Sequence, residues 1–547
     1  MAGFTTFLFA NTLLGSFEQR AAHQLKLAIN QLAQQKFGKQ VFEASPPPPP
    51  AATNTLIPAG SYIIDMGVEP QTIDNGLKPY GLVWDLLQNH HVTILWAIKD
   101  GKAKDEADFN YNGTDFKGGP FIITASQRTA AVDATIANWE AEGVVGVTTT
   151  SDFTAPIARV LNHSVRWTLD QQNGKIAEEY LKKALIPTSA YDWTLPQDLD
   201  CCHDIFVMPH AEPIWNTHSE LLTWNDTEAN GGCSGSIWAG CKAVSELENI
   251  VNPNNSNERL NFLMETPANA GDYPAIWADN HNDASPPYDY DHFDHPIMQF
   301  LGGVEGVHEN GAEEVYLPNV GWRPSTLIGV WDPTQNNVPS LSPGPAGIIV
   351  FGPAFGNESR GYICYEAGHK LNKNYGPENI AAIRAFFNFS LMAAAGKAIE
   401  PLSVVPKSQE SGKTYSLSAS ATGGSGNYQF EWSSSCGGTF SNSQSTNTSF
   451  TAPEVTQPTE CVITVVVTDG CGTRMAFDNV TITIYPQEIC GNGLDDDNDG
   501  LTDCDDPDCS GVLYAESVVA STGVTNPAYA TGSADNTGAE LYDTGDQ

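Results

Sequence analysis

The sequence predicts a multidomain chain in which an α/β unit, with a mostly parallel sheet and helices on both faces, precedes an all-β sandwich and a short acidic loop. Strand-like and helix-like runs alternate across residues 58–399, which favours parallel strands joined by helical crossovers. Residues 400–486 alternate with period two and are interrupted by Gly, Ser and Pro, as is typical of a sandwich. Alternating aspartates in residues 487–511 indicate the loop.

Residues 1–57 are predicted to precede the folded units. Residues 1–44 begin with an apolar run that has the composition of a signal-peptide core but no Lys or Arg before it. An amphipathic helical pattern follows. We interpret this stretch as an N-terminal helical segment with an atypical signal, and the proline-rich residues 45–57 as an extended linker.

The elements of the α/β unit can be placed by their patterns. The strand-like runs are residues 60–67, 92–98, 119–125, 203–210 and 360–369. The helix-like runs are residues 80–90, 129–143, 217–232 and 377–398. Because ligands of such sheets bind at the carboxyl ends of the strands, functional residues are expected just after the strand-like runs.

Cys241 lies at one such position. The stretch GSIWAGCKAVSELENI, residues 235–250, passes from an apolar strand pattern into a helical one at Ala-Gly-Cys. A sharp strand-to-helix turn that exposes a nucleophile needs small residues two before and two after it, and Ala239 and Ala243 occupy those places. The helix N-terminus and Lys242 are expected to lower the pKa of the thiol. The alternative is a small buried residue that fits the corner.

The segments DIFVMPHAEP, GSIWAGCKAVSELE and GYICYEAGHKLN resemble class I glutamine amidotransferase-like proteins, including the trehalose-utilisation-like branch. The resemblance covers residues 58–399 and implies a flavodoxin-like α/β fold. It also implies that Cys241 is a nucleophile and that His369 is its acid and base. The sequence departs from the family because Leu371 stands where true amidotransferases have a Glu.

The third member of a triad is therefore open. Glu69 is the first candidate, because the loop after the first strand also reaches the carboxyl edge of the predicted sheet. Asp65 and Glu366 are alternatives.

Residues 400–486 resemble polycystic-kidney-disease-type and immunoglobulin-like modules of bacterial surface proteins, on the segments GGSGNYQFEWSS and CVITVVVTDGCG. Such modules are mostly spacers or adhesive units. Residues 512–547 look like the start of a truncated discoidin-like or carbohydrate-binding sandwich, which implies a glycan or cell-surface polymer as partner.

The acidic loop, residues 487–511, matches the spacing of a calcium site. Oxygen ligands at positions one, three, five, nine and twelve surround a glycine at position six. The predicted ligands are Asp495, Asp497, Asp499, Asp503 and Asp506. The loop resembles thrombospondin type 3 and dockerin-like loops, and calcium is the predicted cofactor. The alternative is an acidic linker held by disulfides.

Charge and cysteine content narrow the class of protein. The chain has 65 Asp and Glu against 26 Lys and Arg, a net charge of −39, which argues against nucleic acid and anionic membranes as partners.

Its 11 cysteines favour an oxidising, extracellular or cell-surface location. Cys201 and Cys202 are expected to form disulfides, with Cys233 or Cys364 as partners. No segment is apolar and long enough to predict a membrane span.

A second metal site is a weaker alternative. His292 and His295, with Asp291 and Asp294, could bind a transition metal, although the spacing is loose and such loops more often line the rim of a pocket.

Two functions remain open from sequence. One is a secreted or surface protein whose amidotransferase-like head binds or displays, stiffened by calcium. The other is a secreted hydrolase or amidase that uses Cys241 and His369 and is tethered to polysaccharide by its β modules. The chemical reactivity of Cys241 discriminates between them.

Overall fold

The computed structural model describes the chain from residue 51 onward, with gaps. The described residues are 51–227, 232–266, 284–307, 313–335, 346–369, 371–372, 375–397, 399–405, 408–471, 475–490, 493–496, 500–502 and 509. The predicted N-terminal segment, most of the predicted linker and the predicted C-terminal sandwich start lie outside these residues.

The first sheet has six strands that are all antiparallel to their neighbours, in the order β1-β8-β3-β6-β2-β7. Its strands are β1 Thr53–Ile57, β2 Tyr62–Ile64, β3 Ile94–Ala97, β6 Phe121–Ile123, β7 Gly146–Thr148 and β8 Phe153–Leu161. A separate hairpin is formed by β4 Ala107–Tyr111 and β5 Thr114–Lys117. Two helices accompany this part of the chain, α1 Lys78–His90 and α2 Ala130–Ala141.

The second sheet has eight strands and is mixed, in the order β10-β9-β11-β12-β18-β17-β16-β15. Its strands are β9 Trp167–Leu169, β10 Tyr191–Asp192, β11 Ile205–Pro209, β12 Ser236–Gly240, β15 Asp289–Tyr290, β16 Leu327–Asp332, β17 Ala346–Pro353 and β18 Tyr362–Glu366. The five strands from β10 to β18 run parallel, and the last three pairings are antiparallel. A further hairpin consists of β13 Val251–Asn252 and β14 Asn255–Arg259.

Helices of this second part connect or cover the mixed sheet. They are α3 Lys175–Lys183, α4 Trp215–His218, α5 Leu221–Trp224, α6 Lys242–Asn249 and α7 Pro377–Ala395. Helix α7 is buried nearly all round, with fifteen buried residues among nineteen. It therefore packs as an interior helix of the molecule.

The predicted flavodoxin-like fold is wrong. The described residues are β-rich, with an antiparallel sheet, a mixed sheet and few helices, in place of one parallel sheet with helices on both faces. The reason lies in β6, which pairs antiparallel with both β2 and β3 and so separates them. The run 119–125 was recognised as a strand, but an alternation of strands and helices does not reveal that this strand pairs between two others.

Residues from 400 form a sandwich of two four-stranded sheets, in the orders β19-β21-β24-β23 and β20-β26-β25-β22. The strands are β19 Glu400–Val404, β20 Ser408–Glu410, β21 Thr414–Thr422, β22 Gln429–Ser434, β23 Thr439–Phe440, β24 Asn447–Thr451, β25 Thr459–Thr468 and β26 Met475–Tyr485. Alternate residues of β25 are buried, as the period-two pattern requires. Their side chains pack with Trp432 and Phe450 in a core of their own.

Four disulfides stabilise the described residues: Cys201–Cys233, Cys202–Cys471, Cys436–Cys461 and Cys490–Cys509. The first is one of the pairings that the sequence left open, while Cys471 was not foreseen as a partner of Cys202. Such a disulfide content is compatible with a soluble extracellular protein. In the described part of the chain, no helix has the length and apolar character needed to cross a bilayer.

Candidate functional site

Three neighbouring parallel strands bring three potential ligands or catalytic groups to one edge of the mixed sheet. His210 directly follows β11, Cys241 directly follows β12, and His369 comes three residues after β18. Because β11, β12 and β18 are adjacent and parallel, their carboxyl ends meet at the same edge. We call these three residues the Cys–His trio.

Cys241 adopts the strained backbone of a nucleophile elbow. Its φ is 53° and its ψ is −137°, a region that non-glycine residues rarely occupy. Ala239 and Ala243 are fully buried on either side. Helix α6 begins at the next residue. The local sequence therefore folds into the sharp strand-to-helix turn that its small residues predict.

Both imidazoles point a ring nitrogen at the sulfur. His210 Nδ1 lies 3.1 Å from Cys241 Sγ, and His369 Nδ1 lies 3.9 Å from it. The two Nδ1 atoms are 3.1 Å apart, and the rings are nearly perpendicular, with an interplanar angle of 77°. The sulfur is buried, whereas both histidines are half-buried, so solvent reaches the trio from the imidazole side.

The backbone around the trio is held by specific hydrogen bonds. The N–H of His210 donates to the carbonyl of Gly240 at 2.9 Å, and Asn173 Nδ2 donates to the carbonyl of His210 at 2.6 Å. The N–H of Gly368 donates to the carbonyl of Glu313 at 3.0 Å, which fixes the turn before His369. The trio is therefore positioned before any ligand arrives.

Burial raises the pKa of the Cys241 thiol to about 11. Hydrogen bonds from the backbone N–H groups of Glu313 and Lys242 lower it, but the burial effect is larger. The expected lowering by the helix N-terminus and Lys242 is therefore outweighed, and the resting sulfur is a neutral thiol. Lys242 itself is engaged by Glu212, with Nζ 2.6 Å from Oε1, at the exposed rim of the site.

A buried carboxyl group and a buried hydroxyl lie behind the sulfur. Burial raises the pKa of Glu313 to about 7, and Ser245 Oγ donates a hydrogen bond to its Oε1. The Tyr316 hydroxyl donates to the carbonyl of Glu366 at 2.9 Å and lies 3.3 Å from the carbonyl of Cys241. These contacts link the elbow, β18 and the chain that precedes Tyr316.

Of the residues predicted for catalysis, the structure brings Cys241 and His369 together and places Glu69 elsewhere. Glu69 is exposed, in a short 3-10 helix after β2 of the antiparallel sheet, and it is not among the groups that converge on the sulfur. Asp65 belongs to the same region and accepts hydrogen bonds from the N–H groups of Gly67 and Val68. The expectation for Glu69 assumed that β2 belonged to the same sheet as Cys241, which it does not.

Glu366 lies close to the elbow but inside the core. It is fully buried, Trp238 Nε1 donates to its Oε2 at 3.2 Å, and burial raises its pKa well above the ordinary value. Burial therefore favours the protonated, neutral form of this carboxyl group.

His210 is the member of the trio that sequence reasoning missed. It ends the strand-like run HDIFVMPH, the apolar run that precedes the elbow strand. The same rule that selected Cys241, a reactive side chain directly after a buried parallel strand, would have found it.

The alternative transition-metal loop is used structurally. His295 is buried against Phe351, with ring centroids 4.4 Å apart, and its Nδ1 accepts a hydrogen bond from the N–H of Ile297. Burial lowers the pKa of His295 to about 3. Asp294 accepts a hydrogen bond from the N–H of Gly101. Within the described residues, the group with metal-binding geometry is the Cys–His trio.

Four of the five predicted calcium ligands, Asp497, Asp499, Asp503 and Asp506, lie outside the described residues. Asp495 is described, and its Oδ2 accepts a hydrogen bond from the N–H of Gly500 at 3.1 Å. The calcium site stays a prediction.

Comparison with known proteins leaves the family open. No protein-family model and no curated protein matches the chain. A sialyltransferase structure from Photobacterium damsela is 23% identical over 15% of this chain and 17% of that chain, with a TM-score of 0.12. A nucleoside hydrolase-related hypothetical protein from Saccharophagus degradans, associated with carbohydrate metabolism, is 15% identical over 51% of this chain and 71% of that chain, with a TM-score of 0.16.

Fibronectin(III)-like modules from Clostridium thermocellum are 9% identical over 30% of this chain and 76% of that chain, with a TM-score of 0.14. Likenesses at these TM-scores do not establish a shared fold. The amidotransferase-like resemblance gains no support from these comparisons.

Proposed function

We propose that this chain is an extracellular cysteine-dependent hydrolase in which Cys241 attacks an ester or amide carbonyl. The observation that carries the proposal is the strained elbow of Cys241, whose sulfur lies within 4 Å of two imidazole nitrogens. Such strain costs about 1–3 kcal/mol and persists at functional sites where the surrounding structure enforces it.

The neutral thiol needs a base, and His210 is the nearest one. As Sγ forms a bond to the carbonyl carbon, its proton passes to His210 Nδ1, 3.1 Å away. The carbonyl oxygen becomes an oxyanion, which backbone N–H groups at the elbow stabilise. Collapse of this adduct expels the alcohol or amine, which takes the proton from His210, and water then cleaves the thioester.

His369 supports this chemistry as the second imidazole. Its Nδ1 lies 3.1 Å from His210 Nδ1, so it can accept a hydrogen bond from His210 Nδ1 once that nitrogen has taken the thiol proton. The proposal therefore gives the role of base to His210, whereas the family resemblance in the sequence implied His369. The distances favour His210 because its nitrogen is closer to the sulfur.

The extracellular setting is supported by the four disulfides. In this proposal, the sandwich is a spacer that is fastened to the head by Cys202–Cys471. The competing proposal, a head used only for binding or display, has no need of a strained cysteine that faces two histidines.

The test is hydrolysis by the chelator-treated full chain of a panel of chromogenic esters and amides, with intact mass recorded for a covalent acyl adduct. We expect an adduct on Cys241 and turnover that is abolished in Cys241→Ala. His210→Ala should lower the rate by about 10²–10⁴-fold, the usual contribution of a general base.

Cys364→Ala is the matched control. Cys364 is the other free cysteine among the described residues, and it is fully buried in β18. Its replacement should leave turnover unchanged. Absence of turnover and of an adduct across the panel would favour the display proposal, and turnover that survives Cys241→Ala would exclude this nucleophile.

A further inference from the structure

The Cys–His trio has the donor set of a metal centre as well as that of a thiol hydrolase. One sulfur and two imidazole nitrogens, from three separate strand ends, lie within 4.8 Å of one another. Thiolate and imidazole are the ligands that zinc prefers in proteins.

The three distances also suit a single ion. The Nδ1–Nδ1 distance is 3.1 Å and the two Nδ1–Sγ distances are 3.1 and 3.9 Å. The point equidistant from these three atoms lies about 2.0 Å from each, which matches the usual zinc–nitrogen length of about 2.0–2.1 Å. An ion slightly further from the sulfur reaches the usual zinc–sulfur length of about 2.3 Å. The nearly perpendicular rings allow both nitrogens to face that point without stacking.

The contacts between the two imidazoles have a cost when no cation is bound. Two unprotonated ring nitrogens 3.1 Å apart repel each other, because their lone pairs face each other. The buried sulfur, close to both, carries its own proton. One divalent cation satisfies all three donors together.

The ligands are held in place before metal binding. His210 follows β11 with a φ of 50° and is fixed by the hydrogen bonds of its N–H and carbonyl groups. Cys241 is fixed by the elbow, and its N–H donates to the carbonyl of Glu366. Pre-positioned ligands reduce the ordering that binding requires.

We propose that His210 Nδ1, Cys241 Sγ and His369 Nδ1 form a three-ligand site for Zn²⁺, with the remaining coordination position open on the half-buried imidazole side. Binding forms a zinc–sulfur bond and releases the thiol proton to solvent. Three protein ligands with an open position are the pattern of zinc sites that bind water or substrate.

The consequence for activity rests on the proposed function. A sulfur bonded to zinc cannot attack a carbonyl, so zinc occupancy and thiol attack exclude each other. Zinc would therefore act as a reversible inhibitor that protects the thiol.

The experiment is a titration of the chelator-treated full chain with Co²⁺, followed by displacement with Zn²⁺, in buffer with saturating Ca²⁺ to occupy the acidic loop. We expect one equivalent of Co²⁺ to give a thiolate-to-cobalt charge-transfer band, which zinc abolishes. Cys241→Ser should remove the band, and His210→Ala should weaken binding at least about tenfold.

Two variants serve as controls. Cys364→Ala replaces a cysteine that is not part of the trio, and His292→Ala replaces a histidine that is not part of it. Both should bind cobalt as the parent chain does. No band in the parent chain, or a band that survives Cys241→Ser, would overturn the metal site.

The same samples separate this inference from the proposed function. Zinc binding with no ester turnover by the metal-free chain would leave the metal site standing and remove the hydrolase. Turnover that zinc does not inhibit, together with no cobalt band, would leave the hydrolase and remove the metal site.

Discussion

At the scale of single residues, Cys241 combines features that conflict unless the residue has a function. Its backbone is strained, its sulfur is buried, and burial raises its thiol pKa to about 11. A purely structural position would favour glycine at this φ and ψ. The small neighbours Ala239 and Ala243 made the elbow predictable from sequence. The direction in which the pKa of the Cys241 thiol shifts depends on burial, which cannot be read from the sequence.

The backbone strain at Cys241 predicts that a glycine variant is more stable than an alanine variant, the reverse of the usual order. Cys241→Gly should be more stable than Cys241→Ala by about 1–2 kcal/mol, because both remove the sulfur and only glycine relieves the strain. Elsewhere, glycine is usually the less stable of the two. Chemical unfolding of the two variants measures the difference, and equal stabilities would show that the elbow is not strained.

At the scale of secondary-structure elements, the individual runs were more predictable than their pairing. The predicted helices 80–90, 129–143 and 377–398 correspond to α1, α2 and α7. The described part of the predicted helix 217–232 overlaps the end of α4 and contains the short α5. Pairing depends on contacts between distant residues, as in the insertion of β6 between β2 and β3, and a local period does not encode such contacts. His210 was missed although its strand was recognised.

Helix α6 carries a buried acid that should make stability depend on pH. Glu248 accepts hydrogen bonds from the N–H groups of Leu263 and Met264 and from the Tyr365 hydroxyl, and Arg323 also acts on it. Burial nevertheless raises its pKa from the ordinary 4.5 to about 7. Between these values the folded chain binds a proton that the unfolded chain has lost.

Raising the pH through this window should therefore destabilise the fold, by about 3 kcal/mol between pH 4.5 and pH 8 from Glu248 alone. Urea unfolding at several pH values measures the slope. Glu248→Gln should flatten it relative to the parent chain, and an unchanged slope would assign the dependence to other groups such as Glu313.

Helix α7 holds the two head sheets together through a buried guanidinium. Arg384 is 1% exposed and donates to the carbonyls of Met66 at 2.9 Å, Gly118 at 2.8 Å and Gln299 at 3.1 Å. Arg384→Met should cost about 3 kcal/mol or more of unfolding free energy, since the carbonyls of Met66 and Gly118 lose this donor and that of Gln299 keeps Asn388 Nδ2. Arg384→Lys, with one compact ammonium group, should have a stability between those of the parent chain and the Arg384→Met variant. An Arg384→Met variant as stable as the parent chain would contradict this role.

At the scale of the whole molecule, the head and the sandwich are joined by more than a single chain connection. Cys202 of the head is bonded to Cys471 of the sandwich, 269 residues away. Lys397 Nζ donates to the carbonyl of His203 at 2.8 Å, and Ile399 packs in the sandwich core. No sequence spacing indicates a disulfide over such a distance, so this link became visible only in the structure.

Removing that disulfide should loosen the two units without unfolding either. We expect Cys202→Ser/Cys471→Ser to be cut by protease between α7 and β19 several times faster than the parent chain, while the sandwich and head fragments stay resistant. Cys436→Ser/Cys461→Ser, which removes a disulfide inside the sandwich, should instead expose sites within the sandwich. Equal cleavage patterns in the two double variants would contradict this description.

In the proposed function, Cys241 is a reactive thiol served by His210. The most direct measurement is the rate of Cys241 alkylation by iodoacetamide in the folded, metal-stripped chain at neutral pH, followed by peptide mass spectrometry with Cys364 as the internal reference. We predict that Cys241 is labelled at least about tenfold faster than Cys364, and that His210→Ala slows the labelling of Cys241 by about 10²-fold. Labelling of both cysteines at the same slow rate, unaffected by His210→Ala, would contradict it.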